Sequence, residues 1–173
     1  MNKLVLTLIV PVLVSCLLPM QVLADDHGQA TKQVKMVIEK MNQALTERDV
    51  DALISTFSPD GVAIDLFPAH QYGKMKKGSE FKIKTENLTE RWSRVARVLF
   101  ASTKMFKRTI TGINVQVDNG MAVAWVDVKS ESLSVKEGAK NKVAQFKEIC
   151  VLRLYGNEWK IVTLTNNRHN IKL

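Results

Sequence analysis

Two acidic residues in the C-terminal half lie in apolar surroundings, where a carboxylate could do acid–base chemistry. Glu148 falls in a strand-like stretch and shares one face with Ala144, Phe146, Cys150, Leu152 and Leu154. A carboxylate on such a face must be paired, protonated or at a cavity mouth, because an unpaired buried charge is costly. Glu148 is therefore either a pocket acid or a structural residue, at a frayed strand end or salt-bridged to a neighbouring lysine. Asp127, on the face of Val123 and Trp125, leaves the same interpretations open.

The three tryptophans, Trp92, Trp125 and Trp159, are candidates for lining a ligand cavity. An indole brings a large apolar area and one hydrogen-bond donor to such a site. Aromatic residues in strands also pack into cores and dimer interfaces, so both interpretations stay open. Cys150 has no partner histidine at a telling spacing and is expected to be a buried, inert thiol.

The sequence lacks motifs for metal, phosphate or nucleophilic chemistry. The histidines are far apart, no Cys or His pair has ligand spacing, and we therefore predict no metal site. A Gly-rich phosphate loop and a nucleophile elbow are also missing, so no cofactor is predicted. The lysine run at residues 74–77 is short and has no interleaved aromatic residues. Nucleic-acid binding is therefore not predicted.

The elements that would position these residues begin with an amphipathic helix from Thr31 to Glu47. Asp49 then caps a second helix, which ends at the turn Ser58-Pro59-Asp60-Gly61 before a first strand from Val62 to Phe67. The apolar positions at helical spacing are Val34, Val37, Ile38, Met41 and Leu45 in the first helix, and Val50, Leu53, Ile54 and Phe57 in the second.

The remainder is predicted to form a basic loop at residues 68–80, a third helix within Ser79 to Phe100, and antiparallel strands. Residues 108–117 alternate, with Thr109, Thr111, Ile113, Val115 and Val117 on one face of a half-buried strand. Asn119-Gly120 predicts a tight hairpin, because both residues accept positive φ. The later strands are Met121 to Ser130, Val143 to Tyr155 and Trp159 to Thr165. Helices followed by hairpin-linked strands indicate an α+β fold.

The helix–turn–strand pattern over Asp49, Phe57, Asp60 and Asp65 resembles the nuclear-transport-factor-two-like superfamily, which includes ketosteroid isomerases and polyketide cyclases. The segment GNEWKIV at residues 156–162 resembles the last hairpin of that superfamily. The resemblance implies a cone-shaped α+β fold, with about three N-terminal helices packed on a curved, mostly antiparallel sheet. It also implies a ligand pocket at the open end of the cone.

The resemblance suggests site residues as well. Asp65 matches the strand position of the proton-shuttling carboxylate of ketosteroid isomerases, so it is a candidate general base, with Glu148 as the second candidate acid. Strand alternation leaves two orientations open for Asp65, towards the pocket or towards solvent. Met41 falls where the isomerases have a tyrosine donor, and since Met cannot donate a proton, the isomerase reaction itself is not expected. The predicted ligand-binding residues are Met41, Tyr72, Trp92, Trp125 and Asp127.

The N-terminus is typical of a secretory signal peptide. A basic start and the apolar run Leu4 to Leu18 precede the small-residue site Val22-Leu23-Ala24, so we expect cleavage after Ala24 and a periplasmic or secreted protein. The run is too short and too interrupted by prolines for a transmembrane span. A lipid anchor at Cys16 is the less favoured alternative. Residues 25–30 are then a disordered lead-in, and residues 31–173 form a single domain.

The net charge of the chain gives only a general indication of its binding partners. The 173 residues carry a formal net charge of +8, which becomes about +7 when cleavage removes Lys3. This excess favours anionic neighbours, although an ordinary basic exported protein has the same balance. Only Cys150 survives cleavage, so no intramolecular disulfide is expected.

Three functions follow from these observations. The leading hypothesis is an exported protein that binds a small apolar or anionic molecule in its cone, as a homodimer packed through the sheet. The second is a cyclase-like or isomerase-like enzyme with Asp65 as general base. The third is an interaction module whose sheet face or basic loop docks an acidic protein.

Overall fold

The first helix, α1, runs Pro19–Glu47 and carries the apolar stripe that packs on the sheet. The computed structural model describes residues 19–65 and 84–166, with side chains described for 27–64 and 85–166. Val34, Ile38, Met41 and Leu45 are fully buried, as the spacing predicts. The helix begins before Thr31 and includes residues 25–30, which the sequence analysis assigns to a disordered lead-in. Once a helix is nucleated, each added residue gains a hydrogen bond, and the polar residues at 27–29 stay helical while exposed.

A short corner joins α1 to the second helix. Arg48 has a φ of 65°, which turns the chain out of α1. The side chain of Asp49 then accepts a 2.8 Å hydrogen bond from the amide of Ala52, so the predicted cap is confirmed. Helix α2 is Val50–Ile54. The predicted turn at residues 58–61 follows.

The strands β1, Val62–Asp65, and β2, Lys84–Asn87, pair antiparallel as a separate two-stranded sheet. Asn87 ends β2 and caps the third helix, α3, which runs Leu88–Ser102, because its side chain accepts a hydrogen bond from the amide of Glu90 at 3.0 Å. This helix falls mostly inside the range predicted for it. The predicted basic loop at residues 68–80 lies outside the described residues.

Four long strands form the main sheet in the order β3–β4–β5–β6, all antiparallel. Their bounds are Thr103–Asp118 for β3, Met121–Ser134 for β4, Lys142–Tyr155 for β5 and Glu158–Asn166 for β6. Asn119 and Gly120 have φ values of 44° and 73°, which confirms the predicted tight hairpin between β3 and β4. The predicted fold class, helices packed on a curved antiparallel sheet, is confirmed.

A β-bulge interrupts β3. Ile110 pairs with Val128 and Gly112 pairs with Asp127, so Thr111 is an extra residue on β3. Before the bulge the buried positions are Thr103, Phe106 and Arg108, whereas after it Ile113, Val115 and Val117 pack on the core. The prediction that one face carries Thr109 through Val117 is therefore wrong for the part of the strand before the bulge.

The chain between α2 and β1 is joined to the sheet by backbone hydrogen bonds. Phe57 forms a parallel bridge with Ile161 of β6, with Ile161 N donating to the carbonyl of Thr56 and Ser58 N donating to that of Ile161, both at 2.9 Å. This bridge holds the first half of the chain against the last strand. Within residues 19–65 and 84–166, none of the helices has the length and hydrophobicity needed to cross a membrane.

Candidate functional site

A buried ion pair joins β3 and β5 across β4 on the concave face of the sheet. Arg108 of β3 donates to both carboxylate oxygens of Glu148 on β5, from Nη1 to Oε1 at 3.2 Å and from Nη2 to Oε2 at 2.6 Å. The side chains are 4% and 0% exposed. The planar guanidinium matches the carboxylate in this two-bond geometry, which orients both groups. The guanidinium carbon also lies 5.5 Å from the centre of the Phe146 ring.

Helix α1 forms further hydrogen bonds with Arg108. The Nε of Arg108 donates to Asn42 Oδ1 at 3.2 Å, and Asn42 Nδ2 donates back to the Arg108 carbonyl at 3.3 Å. The Arg108 amide donates to Thr46 Oγ1 at 3.1 Å, and that hydroxyl donates to the carbonyl of Asn42. Two positions one turn apart on α1 therefore fasten the helix to β3 beside the ion pair.

This arrangement decides between the structural interpretations offered for Glu148. The residue lies inside β5, paired with Val126 and Asn166 on the flanking strands, so it is not at a frayed end. It is salt-bridged, as one interpretation held, but its partner is an arginine from β3 and not a neighbouring lysine. Arg108 therefore occupies both carboxylate oxygens of Glu148.

Cys150 lies two residues further along the same face of β5 and is fully buried. Burial raises the pKa of its thiol far above the ordinary value, and the nearby Glu148 carboxylate raises it further. The thiolate is the reactive form of cysteine, so the prediction of an inert thiol is confirmed.

Sequence reasoning missed Arg108, although a signal was present. Phe106, Arg108 and Ile110 form one alternating row, and Phe146, Glu148 and Cys150 form another. Opposite charges embedded in two apolar rows predict a buried pair when the rows face the same core. The bulge at Thr111 changes which alternate residues of β3 face the core. The row of Phe106, Arg108 and Ile110 was therefore missed when a single alternation was assumed for the whole strand.

Two predicted ligand-binding residues lie on the core side of the sheet. Met41 is 1% exposed within the core. Trp92 is partly buried against it, and its ring centre lies 6.2 Å from that of Phe57. Both side chains pack with other protein groups in the described residues.

Two other predicted residues lie on the opposite, outer face of the sheet. Trp125 is 40% exposed there, and Asp127 forms an exposed ion pair with Lys147. A hollow of about 440 Å³ lies beside Asp127 and Lys147. The structure therefore does not bring Trp125 and Asp127 together with Met41 and Trp92.

Asp65 is the last described residue of β1, and its backbone pairs with Lys84. Its side chain and the whole of Tyr72 lie outside the described residues. The strand itself is amphipathic, since Ala63 is buried and Val62 is 38% exposed.

A groove of about 370 Å³ separates α1 from the turn between β5 and β6. We call it the α1–hairpin groove. It is lined by Gln33, Met36, Val37 and Lys40 of α1, by Ser55 and Thr56, and by residues 157–160 of the hairpin. It combines an apolar surface with several polar groups, and of the residues proposed from the sequence as cavity-lining candidates it includes Trp159.

Trp159 lines the α1–hairpin groove, but its indole nitrogen is buried. Its side chain is 5% exposed, and its indole Nε1 has no hydrogen-bond partner among the described residues. Tryptophan can only donate at this atom, and a buried donor without an acceptor is costly. Sequence reasoning named Trp159 as a candidate lining residue but could not see that its donor would lack a partner.

The charged groups of the groove are arranged around Glu158. Lys160 Nζ lies 3.0 Å from Glu158 Oε2 and donates to the Ser55 carbonyl at 3.0 Å. The hydrogen bond and charge of Lys160 hold the pKa of Glu158 below its ordinary value, and the more distant charge of Lys40 adds to this. The negative charge of Glu158 is thus balanced by Lys160. The described residues contain no cluster of three or more metal-ligating side chains.

A family model supplies the relationship that the fold suggests. The model of the SnoaL-like domain matches residues 34–165, which is most of the chain. The chain belongs to the SnoaL-like domain family. This places it in the nuclear-transport-factor-two-like superfamily that the sequence resembles, so that prediction is confirmed. No curated protein sequence matches the chain.

Solved structures share the fold of this SnoaL-like domain. A candidate scytalone dehydratase from Novosphingobium aromaticivorans has a TM-score of 0.66 at 9% identity, over 83% of this chain and 86% of that one. A type 2 hexachlorocyclohexane dehydrochlorinase has a TM-score of 0.65 at 14% identity, over 83% and 87%. A ketosteroid isomerase-like protein from Erwinia carotovora atroseptica has a TM-score of 0.57 at 15% identity, over 79% and 93%. At such low identities, this structural similarity shows a common fold.

Proposed function

We propose that this SnoaL-like domain is an exported protein that binds a small, largely apolar molecule in the α1–hairpin groove. One observation carries the proposal, namely that the α1–hairpin groove has apolar walls that include Met36, Val37 and Trp159. Ligand sites are typically concave and apolar, with a few polar groups that fix orientation. The volume of about 370 Å³ lies at the small end of the range for such sites.

The chemistry of the described acids favours binding over turnover. Glu148 is occupied by Arg108, and Glu158 is occupied by Lys160. General acid–base catalysis needs a proton-exchanging group within reach of the ligand, and the carboxylate among the described residues lining the groove, Glu158, is paired with Lys160. Export is supported by the basic start, the apolar run and the small-residue site before Asp25.

A second candidate function is lyase-like or isomerase-like catalysis with Asp65 as general base. It is favoured by the names of the similar structures, which include a dehydrochlorinase and a candidate dehydratase. Both names describe eliminations, in which a base removes a proton from carbon. Turnover of a co-purifying molecule by the wild type, abolished in Asp65→Asn, would favour this function over binding alone.

Native mass spectrometry of the protein purified from its own host tests the proposed function. We expect a small-molecule adduct that is released when the protein is denatured. Met36 lies on the groove and is 58% exposed, so Met36→Trp should narrow the groove and remove the adduct without unfolding the protein. The control is Met105→Trp, at a 37% exposed position at the start of β3. An adduct that survives in Met36→Trp would place the ligand elsewhere.

A further inference from the structure

One end of the main sheet carries both lysines and exposed apolar side chains. It is formed by the start of β3, residues 103–107, and by the hairpin between β4 and β5, residues 129–143, and we call it the basic tip. We propose that the basic tip docks on an anionic membrane surface, with its lysines against the lipid head groups and its apolar side chains inserted between them. The α1–hairpin groove is lined by other residues, so this proposal does not depend on the ligand there.

The first observation is the charge of the basic tip. Its two segments contain six lysines and two glutamates, a net charge of +4, which is half of the formal +8 of the chain. The segments lie side by side, because residues 103–107 pair with residues 131–134. Glu131 is already balanced by Lys129 at 3.0 Å. The other five lysines are exposed and face a single further glutamate of the tip, and they are Lys104, Lys107, Lys136, Lys140 and Lys142.

The second observation is that apolar side chains are exposed among these lysines. Met105, Val135 and Val143 are 37%, 48% and 53% exposed. Each directly adjoins a lysine in the sequence, namely Lys104, Lys136 and Lys142. Lysine stems extend an apolar surface while the charged ends stay in water. Apolar groups ringed by lysines are typical of surfaces that bind anionic lipid, because the bilayer interface buries the former and attracts the latter.

The shape of the basic tip favours a membrane over an acidic protein. Among the described residues, β6 pairs with β5 only as far as Glu148, so the lysine-bearing start of β5 extends beyond β6. The tip is therefore the end of three strands, which together span about 10 Å. A stable protein partner buries about 800 Å² on each side, more than such a narrow end offers. A membrane needs only a few inserted side chains and an opposite charge.

Backbone hydrogen bonds hold the basic tip in place. The Val135 amide donates to the carbonyl of Ser102 at the end of α3, at 3.0 Å. Within the turn, the Ala139 amide donates to the Lys136 carbonyl at 3.3 Å, and Gly138 has a φ of 71°. Glycine adopts that conformation without strain. A surface that is already ordered does not lose binding energy to ordering when it docks.

Co-sedimentation with lipid vesicles tests the charge. Protein purified from its own host is mixed with vesicles of phosphatidylcholine alone or of an equal mixture with phosphatidylglycerol. We expect binding to the mixture to be at least about tenfold stronger, and the difference to disappear in high salt. Lys136→Gln with Lys140→Gln should weaken binding to the mixture about tenfold. The matched control, Lys32→Gln with Lys35→Gln on α1, should stay within about twofold of the wild type, because distant charges are screened.

A second pair of variants tests the apolar side chains. Val135→Thr with Val143→Thr keeps the shape and β-branching of both residues and makes them polar, so vesicle binding should fall about fivefold. Retention on a heparin column should be unchanged, because a soluble polyanion gains nothing from burying valines. Val95→Thr with Val98→Thr on α3 makes the same change at two other exposed valines and should leave vesicle binding unchanged.

A fluorescent label reports insertion directly. Cys150 is buried and its thiol is unreactive, so Val135→Cys supplies the site for an environment-sensitive dye. We expect the emission to move to shorter wavelength when mixed vesicles are added. The same dye on Val98→Cys should show no change.

The other outcomes would overturn the proposal. Equal binding to the two kinds of vesicle would remove the role of the lysines. Heparin retention that depends on Lys136 and Lys140, without binding to either vesicle, would make the basic tip a site for a soluble polyanion. Vesicle binding that is unchanged in the Val135 and Val143 variant, with a label that stays in water, would have the same meaning. None of these results changes the test of the α1–hairpin groove by native mass spectrometry.

Discussion

At the scale of single residues, the Arg108–Glu148 pair is the strongest constraint in the described structure. A buried carboxylate and guanidinium have lost their hydration, and each replaces it with the other, while Arg108 also donates to Asn42 of α1. Such a pair adds little stability compared with well-packed apolar residues, but breaking one side leaves an uncompensated charge. Its role is therefore to specify one arrangement of helix and strands.

The first prediction follows from the difference between removing one partner of the pair and replacing both. Glu148→Gln should lower the free energy of unfolding by about 3–5 kcal/mol, because it leaves Arg108 buried without a counter-charge. The double variant Arg108→Met with Glu148→Leu should be clearly more stable than Glu148→Gln alone. Denaturant titrations followed by circular dichroism measure both.

A surface pair provides the control for this prediction. Asp127→Asn breaks the exposed pair with Lys147 by the same chemical change, and it should cost less than about 1 kcal/mol. Equal losses for Glu148→Gln and Asp127→Asn would contradict the assignment of the first pair as buried and decisive.

At the scale of elements, a polar cluster ties the α2–β1 turn to the end of β5. Asp60 accepts hydrogen bonds from Ser58 and, at 3.0 Å, from the Tyr155 hydroxyl. These bonds favour the ionised form and hold the pKa of Asp60 below its ordinary value. The cluster adds a side-chain connection beside the backbone bridge between Phe57 and Ile161.

The second prediction concerns acid stability. A carboxylate whose pKa is lower in the folded state stabilises that state above its ordinary value of 3.8, and the contribution is lost as the pH falls through the folded value. The wild type should therefore lose its stability advantage over Asp60→Asn as the pH falls below about 4. Thermal unfolding midpoints across that range measure the difference. Asp51→Asn is the control, and a wild type that stays parallel to Asp60→Asn throughout would refute the role of the cluster.

Elements set by local chemistry were predictable from the sequence, whereas those set by cross-strand pairing were not. Asp49 needs only the amide of Ala52, and Asn119-Gly120 needs only its own positive φ, so both turns follow from neighbouring residues. The bulge at Thr111 depends on how β3 pairs with β4, which alternation along a single strand does not contain. The same long-range pairing brings Arg108 to Glu148.

The candidate site was less predictable than the fold for a related reason. The α1–hairpin groove joins residues 33–40 to residues 157–160, which are distant in sequence and meet only when the helix crosses the sheet. Glu148 and the tryptophans could be named from their types. Which of them would share a cavity, and which donor would lack an acceptor, depended on the packing of α1.

At the scale of the whole molecule, the outer face of the sheet presents apolar side chains to solvent. Trp125 and Ile149 are cross-strand neighbours, 40% and 38% exposed. Large exposed apolar groups side by side are typical of surfaces that a partner covers. We propose a homodimer through this face, in keeping with the expectation from the sequence.

The third prediction tests that assembly. Trp125→Glu should convert a dimer into a monomer in sedimentation velocity, because it places a charge in an apolar interface. The variant should retain the wild-type circular dichroism, since the residue is outside the core. Val98→Glu, at a 63% exposed position on α3, should leave the mass unchanged. A wild type that sediments as a monomer at all concentrations would rule the dimer out.

The extra residue at Thr111 also determines which deletions in β3 would keep the same residues facing the core. Side chains on a strand alternate with a period of two, so one inserted residue exchanges inside for outside from that point on. Deleting Thr111 would leave Ile110, Gly112 and Ile113 paired in unbroken succession with β4, so Ile113, Val115 and Val117 would stay on the core side. A codon lost at Thr111 would therefore remove only the bulge, whereas a codon lost at Asn114 would exchange inside for outside in the rest of β3.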